Sequence, residues 1–286
     1  MAVRNTLYRD RLAVLLALIA VTALAWAYTI RMATTMAMPG MGIMPGLPEI
    51  CTSDGIVSLA PAAPVDMSNP GMGNSATGHV MGGPIALVVM WVVMMIGMML
   101  PAATSMILAF AGINQKRRQS GQRAIGTSVF VLGYLVVWSL FSIAAAGLQI
   151  LLQSLSLMSH NMALAAPSLT AAVLIGAGIY QFTTWKHACL KHCRSPMSFI
   201  MNSWREGTRG AFVMGFHHGL YCLGCCWILM LVMFAVGTMN LILMAALTFY
   251  LLVEKLLPFG HFTSRLAGSV LTVAGIAAFT GHLTWS

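Results

Sequence analysis

The chain has 286 residues, of which 59% are hydrophobic and only 7% charged, and its formal net charge is +9. A soluble domain carries about 25% charged residues to solvate its surface, so this composition excludes a soluble enzyme, a disordered protein and a fibrous protein. The 24 methionines are a separate excess, because leucine, isoleucine and valine suit lipid equally well.

Apolar runs of about 20 residues read as membrane helices. Seven occur, at roughly 12–30, 84–112, 124–152, 167–186, 210–236, 240–257 and 266–284. The prediction is an all-α, polytopic membrane helix bundle of about seven spans. Residues 1–30 form an N-terminal anchor span, 31–83 an extracytoplasmic loop rich in Met, Gly and Pro, and 84–286 the bundle, with a cytoplasmic Cys/His loop at 187–209. Arg4, Arg9 and Arg11 ahead of the first run, with small Ala23, Ala25 and Ala27 at its end, also fit a signal peptide. Cleavage there would leave six spans; the length of the apolar stretch favours an anchor. Fourteen of the 15 Lys and Arg fall on one side of these spans, Arg31 being the exception. The excess of basic residues on cytoplasmic loops then puts the N-terminus in the cytoplasm. Topology thus accounts for the positive charge, and nothing calls for nucleic acid.

The outside loop carries Met32, Met36, Met38, Met41, Met44, Met67, Met72 and Met81, with His79 and a lone cysteine, Cys51. Thioethers are soft ligands that select Cu(I) over Zn or Mg, and Gly and Pro leave the backbone free to gather them. A plain interfacial loop is the alternative. In the second run Met90, Met94 and Met98 share one helical row, and Met95 and Met99 a second. This M-x-x-x-M spacing resembles the methionine pair in high-affinity copper uptake transporters, although a methionine stripe also packs well as core. Pro101 frees the carbonyl of residue 97, which the sequence offers as a further element of a site.

Between the fourth and fifth runs stands His187-Ala-Cys189-Leu-Lys-His192-Cys193. On a continuing helix Cys189, His192 and Cys193 share one face and His187 lies opposite. Cytosolic thiols stay reduced, so a metal is favoured over a disulfide; a structural zinc competes with copper here. The fifth run places His217, His218, Cys222, Cys225 and Cys226 on one half of a helix. Ionisable groups inside a span are functional candidates by default, and imidazole with thiol makes a soft to borderline ligand set. Gly215, Gly219 and Gly224 open the same helix to close neighbours. Glu254 is placed to orient a ligand histidine, or to pair with Arg209 or Lys255.

Four segments in order, MWVVMMIGMMLP (90–101), HACLKHCRSPMSF (187–199), MGFHHGLYCLGCCW (214–227) and VEKLLP (253–258), resemble a bacterial family of predicted metal-binding integral membrane proteins, some labelled copper chaperones. The resemblance covers about residues 84–258 and implies a multi-pass protein of the bacterial inner membrane that handles metal, with no established reaction. The favoured reading is a copper-binding membrane protein, more a carrier than an enzyme, that transfers or moves Cu(I) through Met, Cys and His ligands. Its expected partners are the lipid bilayer, the metal ion, and a copper-dependent membrane enzyme or periplasmic chaperone. Zinc is the alternative ion. The competing functions are a thiol–disulfide oxidoreductase using Cys222 and Cys225, a haem-binding protein, and an assembly subunit of a larger membrane complex.

Overall fold

The computed structural model describes residues 2–37, 83–121, 126–158, 163–257 and 260–280. Of the groups expected to collect metal outside the membrane, Met38, Met41, Met44, Met67, Met72, Met81, His79 and Cys51 lie outside the described residues. Among the described residues the regular structure is helical: α1 (Ala2–Ala37), α2 (Gly83–Gln119), α3 (Thr127–Ser154), α4 (Pro167–Tyr180), α5 (Thr184–Arg194), α6 (Pro196–Ser203), α7 (Gly207–Val236), α8 (Leu241–Leu256) and α9 (Gly260–Phe279). One isolated antiparallel bridge, Met158 to Leu164, interrupts the pattern.

The seven apolar runs correspond to α1, α2, α3, α4, α7, α8 and α9, but five of these (α1, α2, α3, α7 and α9) are long and apolar enough to cross a membrane. The other two fall short. α4 and α8 have 14 and 16 residues, or about 21 and 24 Å of helix, against a hydrocarbon core of about 30 Å. Local chemistry sets these limits. The expected span 167–186 breaks at the turn through Gln181 and Phe182, and α5 restarts behind the Thr183 cap, whose hydroxyl accepts from the Lys186 amide at 3.4 Å. α8 starts at the Asn240 cap, which accepts from the Leu243 amide at 3.0 Å. It stops at Leu257, which is extended (φ −80, ψ 143), as a residue preceding proline prefers to be.

α7 sits among α3, α4, α5 and α8, while α1 packs on α2, and α9 on α4. Glycines on α7 allow it to lie close to α3. A Cβ on Gly215 would land on the Phe130 carbonyl oxygen of α3, and one on Gly219 would lie 2.9 Å from the Val137 side chain. Gly215→Val is therefore expected to push α3 from α7 and to destabilise the protein by about 1–3 kcal/mol or more. A fall in the unfolding temperature of the detergent-solubilised protein, with Gly147→Val as a control where a Cβ meets open space, would measure it.

Met90, Met94, Met95, Met98 and Met99 are all buried. α2 runs through Pro101 without ending. The carbonyl that Pro101 frees is taken by α1: the Trp26 indole N–H donates to the Gly97 oxygen at 3.2 Å. That carbonyl is thus committed to holding α1 against α2, where the sequence had offered it to a metal site.

Candidate metal centre

The centre is built on α7, whose one-turn spacing stacks Cys222, Cys225 and Cys226 on a buried face. All three are fully buried. The thiols of Cys225 and Cys226 donate back to the Cys222 carbonyl, at 3.0 and 2.9 Å. Cys222 is the node of the group, and its sulfur interacts with those of Cys193, Cys225 and Cys226. It also meets the Tyr134 hydroxyl of α3 at 3.2 Å and receives the Lys255 ammonium of α8 at 2.9 Å. The Tyr134 hydroxyl donates in turn to the Met99 carbonyl at 3.0 Å. The inner end of the methionine rows is therefore one hydroxyl away from the cysteine cluster.

α5 brings the fourth thiol. Cys193 is buried against α7, its thiol within hydrogen-bonding reach of the sulfurs of Cys222 and Cys225. Those contacts, followed by burial, hold its thiol well above the usual cysteine range. Cys189, one turn earlier, faces α7 at Gly224, where a Cβ would come within 2.9 Å of its sulfur. Burial, then the proximity of Cys225, raises the Cys189 thiol. The small residue at 224 is what lets α5 lie this close. The five described cysteines are all free thiols.

The imidazoles are distributed differently from the sequence expectation. His218 alone is buried beside the cluster, 2% exposed, within electrostatic reach of Cys222 and Lys255. It stacks on Phe130 and Tyr134, and its Nδ1 has no hydrogen-bond partner. His217 is exposed on a cleft of about 280 Å³ that Met214, Trp204 and Tyr221 also line. His192 is exposed, stacked on Tyr221 with ring centroids 4.4 Å apart, and its Nδ1 is 2.9 Å from the Ala188 oxygen. His187 faces the other way, as expected, and meets His261 of α9 with ring centroids 4.6 Å apart. Burial, then the adjacent His261 and Lys186, keeps His187 below the ordinary histidine range. His261 is not legible in the sequence as a partner of His187, because 74 residues separate the two (261 − 187).

The lysine and glutamate pairings also differ from expectation. Glu254 pairs with neither Arg209 nor Lys255. Its Oε1 accepts from Lys186 at 2.5 Å, Tyr250 at 2.7 Å and Ser264 at 2.5 Å, and both members of the ion pair are fully buried. Lys186 also donates to the side-chain amide oxygen Oε1 of Gln181. Lys255, the next residue on α8, points away toward Cys222, because adjacent residues on a helix face apart. Through Lys186, Glu254 ties the start of α5 to α8.

Among the described residues no group of three His, Cys, Asp or Glu side chains is arranged to hold a metal ion together. What the fold assembles is a tight group of sulfurs with the unpartnered His218 Nδ1 beside it, linked through Tyr134 to the end of the methionine rows at Met99. A family model described as PpoB2, copper chaperone, matches residues 88–278. The chain belongs to that family. The matched stretch takes in both methionine rows of α2, the α5 and α7 thiols, the Glu254–Lys186 pair, Lys255 and His261. It leaves α1 and the loop that follows outside. Comparison with curated proteins and with solved structures gave no match.

Proposed function

We propose that this copper chaperone family member works within a membrane, taking Cu(I) as cargo and passing it between sulfur ligands. The observation that carries the reading is the convergence of four thiols from two helices, Cys193 on α5 and Cys222, Cys225 and Cys226 on α7, in a dry interior. Thiolate sulfur is the donor that soft Cu(I) selects. The thioethers of Met90, Met94, Met95, Met98 and Met99 offer weaker sites on the approach from one end of the bundle. Multiple weak sites suit an ion that must leave as well as enter. The loop 31–83, with its own methionines, is the collector in this reading. Cys189 and His192 form the exit toward the cytoplasmic face, where His217 opens on its cleft. His218 is a ligand in reserve, since its buried Nδ1 is unpartnered and the ring lies within electrostatic reach of Cys222. The seat of this traffic is the bacterial inner membrane, and the recipient is a copper-dependent enzyme or a periplasmic chaperone.

The test is copper content and oxidation state, by metal analysis and absorption spectroscopy, of the purified wild type beside a Cys222/Cys225/Cys226 triple serine variant. Stoichiometric Cu(I) in the wild type and its loss in the variant are expected. Wild-type protein that retains no copper after Cu(I) loading would sink the reading.

A further inference from the structure

The bundle buries two lysines of adjoining chemistry and opposite circumstance. Lys186 has a carboxylate, Glu254, at 2.5 Å. Lys255, 6% exposed, has a sulfur, Cys222, at 2.9 Å. Cys225, Cys226, Tyr134 and His218 also face its charge, again none of them a carboxylate. A lysine buried for packing alone would be an expensive choice, because an uncompensated charge in a dry interior costs several kcal/mol.

From this juxtaposition we propose that Lys255 is a specificity-determining residue, a fixed positive charge that fits the thiol pocket to a monovalent ion and against a divalent one. The inference rests on the reading of the thiol cluster as a copper site. Two thiolates around Cu(I) carry a net charge of minus one, and the ammonium of Lys255 brings the pocket to neutrality. Two thiolates around Zn(II) are already neutral, so the same ammonium is left uncompensated. A zinc ion would escape that penalty with a third thiolate, and it ordinarily takes four ligands. The described residues offer no arrangement in which three His, Cys, Asp or Glu side chains hold one ion. A two-sulfur site suits Cu(I), which accepts linear coordination. Loading forms two Cu–S bonds as copper's bonds to the ligand that delivers it break and that ligand leaves; each S–H bond broken releases its proton to water, and no electron moves.

The position in the fold supports a role in selection rather than in catching the ion. Lys255 approaches from α8, whereas the sulfurs come from α5 and α7. Its ammonium can stay in the outer sphere of the complex, donating to the Cys222 sulfur, while the ion bridges that sulfur and one other of the cluster. A cation is an unfavourable neighbour for incoming metal in general, which is why its placement here needs the charge of the loaded complex to explain it.

The experiment compares full-length wild type, Lys255→Met and Lys255→Arg in detergent, titrated separately with Cu(I) and Zn(II) against chromophoric chelators. Lys255→Met is expected to weaken Cu(I) by about 10-fold or more, the scale on which loss of a supporting group weakens metal sites. It should leave Zn(II) binding unchanged or tighter, so the preference between the ions narrows. Lys255→Arg, which keeps the charge, should keep the preference. Equal loss for both ions, or no change for either, overturns the proposal and marks Lys255 as structural. X-ray absorption of copper-loaded wild type gives a second measurement that does not depend on a variant folding: two sulfurs around Cu(I) support the proposal, and three or four overturn it. A wild type that binds no Cu(I), or whose binding survives loss of the α7 cysteines, removes the metal centre itself and the role of Lys255 with it. A copper-binding wild type whose selectivity ignores Lys255→Met removes only the latter.

Discussion

Cys222→Ser is expected to cost the protein its bound copper, with the Cu(I) affinity falling by more than the roughly 10–100-fold that loss of an outer supporting group costs a metal site. Cys222 is the one thiol that touches everything else in the centre: the other three buried sulfurs, the Tyr134 hydroxyl, and the Lys255 ammonium. Cys193→Ser should follow closely, because among the described residues Cys193 is the thiol from outside α7 that reaches Cys222. His192→Ala and His217→Ala should change the affinity little. Both rings are exposed, and His192 is committed to the face of Tyr221. Serine is the informative replacement at 222, since its hydroxyl can still accept from Lys255. Alanine would strand a buried cation and confound copper loss with unfolding. Copper stoichiometry and chelator competition across the four variants give the ranking. Equal losses at His192 and Cys222 would mean that the ligands are spread along the helices rather than gathered at one node.

Helical periodicity carried much of this arrangement into the sequence. The spacing of Cys222, Cys225 and Cys226 placed them on one face, and they share one. Met90, Met94, Met95, Met98 and Met99 were legible as two rows, and all are buried. Gly215, Gly219 and Gly224 were read as points of close approach, and each has a neighbour within 3 Å of an added Cβ. What periodicity cannot supply is which element meets which. The wheel treated His217 and His218 as equivalent members of the cysteine face, yet one is exposed on a cleft and the other is 2% exposed against aromatic rings. A helical angle does not say where a neighbouring helix ends. The carbonyl freed by Pro101 was legible; that Trp26, 71 residues earlier, would claim it was not. The seven apolar runs were all helices, but hydropathy ignores capping, and Thr183, Asn240 and Pro258 trimmed two of them below the length of a bilayer crossing. In the sequence Lys255 reads as topology or as a partner for Glu254, because a basic residue at the end of a span has those two ordinary roles. Only the direction of its side chain shows otherwise.

The largest effect on stability is expected at the other buried lysine. Glu254→Gln keeps the shape of the side chain and leaves Lys186, fully buried, without its anion. Breaking one partner of such a pair costs about 3–5 kcal/mol, a large share of what holds a folded domain together. Three further groups make the penalty hard to evade, because Tyr250 and Ser264 both donate to the same carboxylate oxygen and Gln181 accepts from the same ammonium. Their hydrogens and lone pairs are oriented for a charged pair, so a neutral amide satisfies them poorly. The double replacement Lys186→Met with Glu254→Leu should recover much of the loss, since two apolar groups of similar volume remove the charges together. Unfolding temperature in detergent measures both variants. The pair also ties the start of α5 to α8, seven residues before Cys193 (193 − 186). The double variant therefore separates two roles that the single one confounds. A protein that regains stability but binds copper weakly would show that the ion pair sets the register of α5, and with it the place of the Cys193 sulfur beside Cys222. Full recovery of both would confine Lys186 and Glu254 to holding the bundle together.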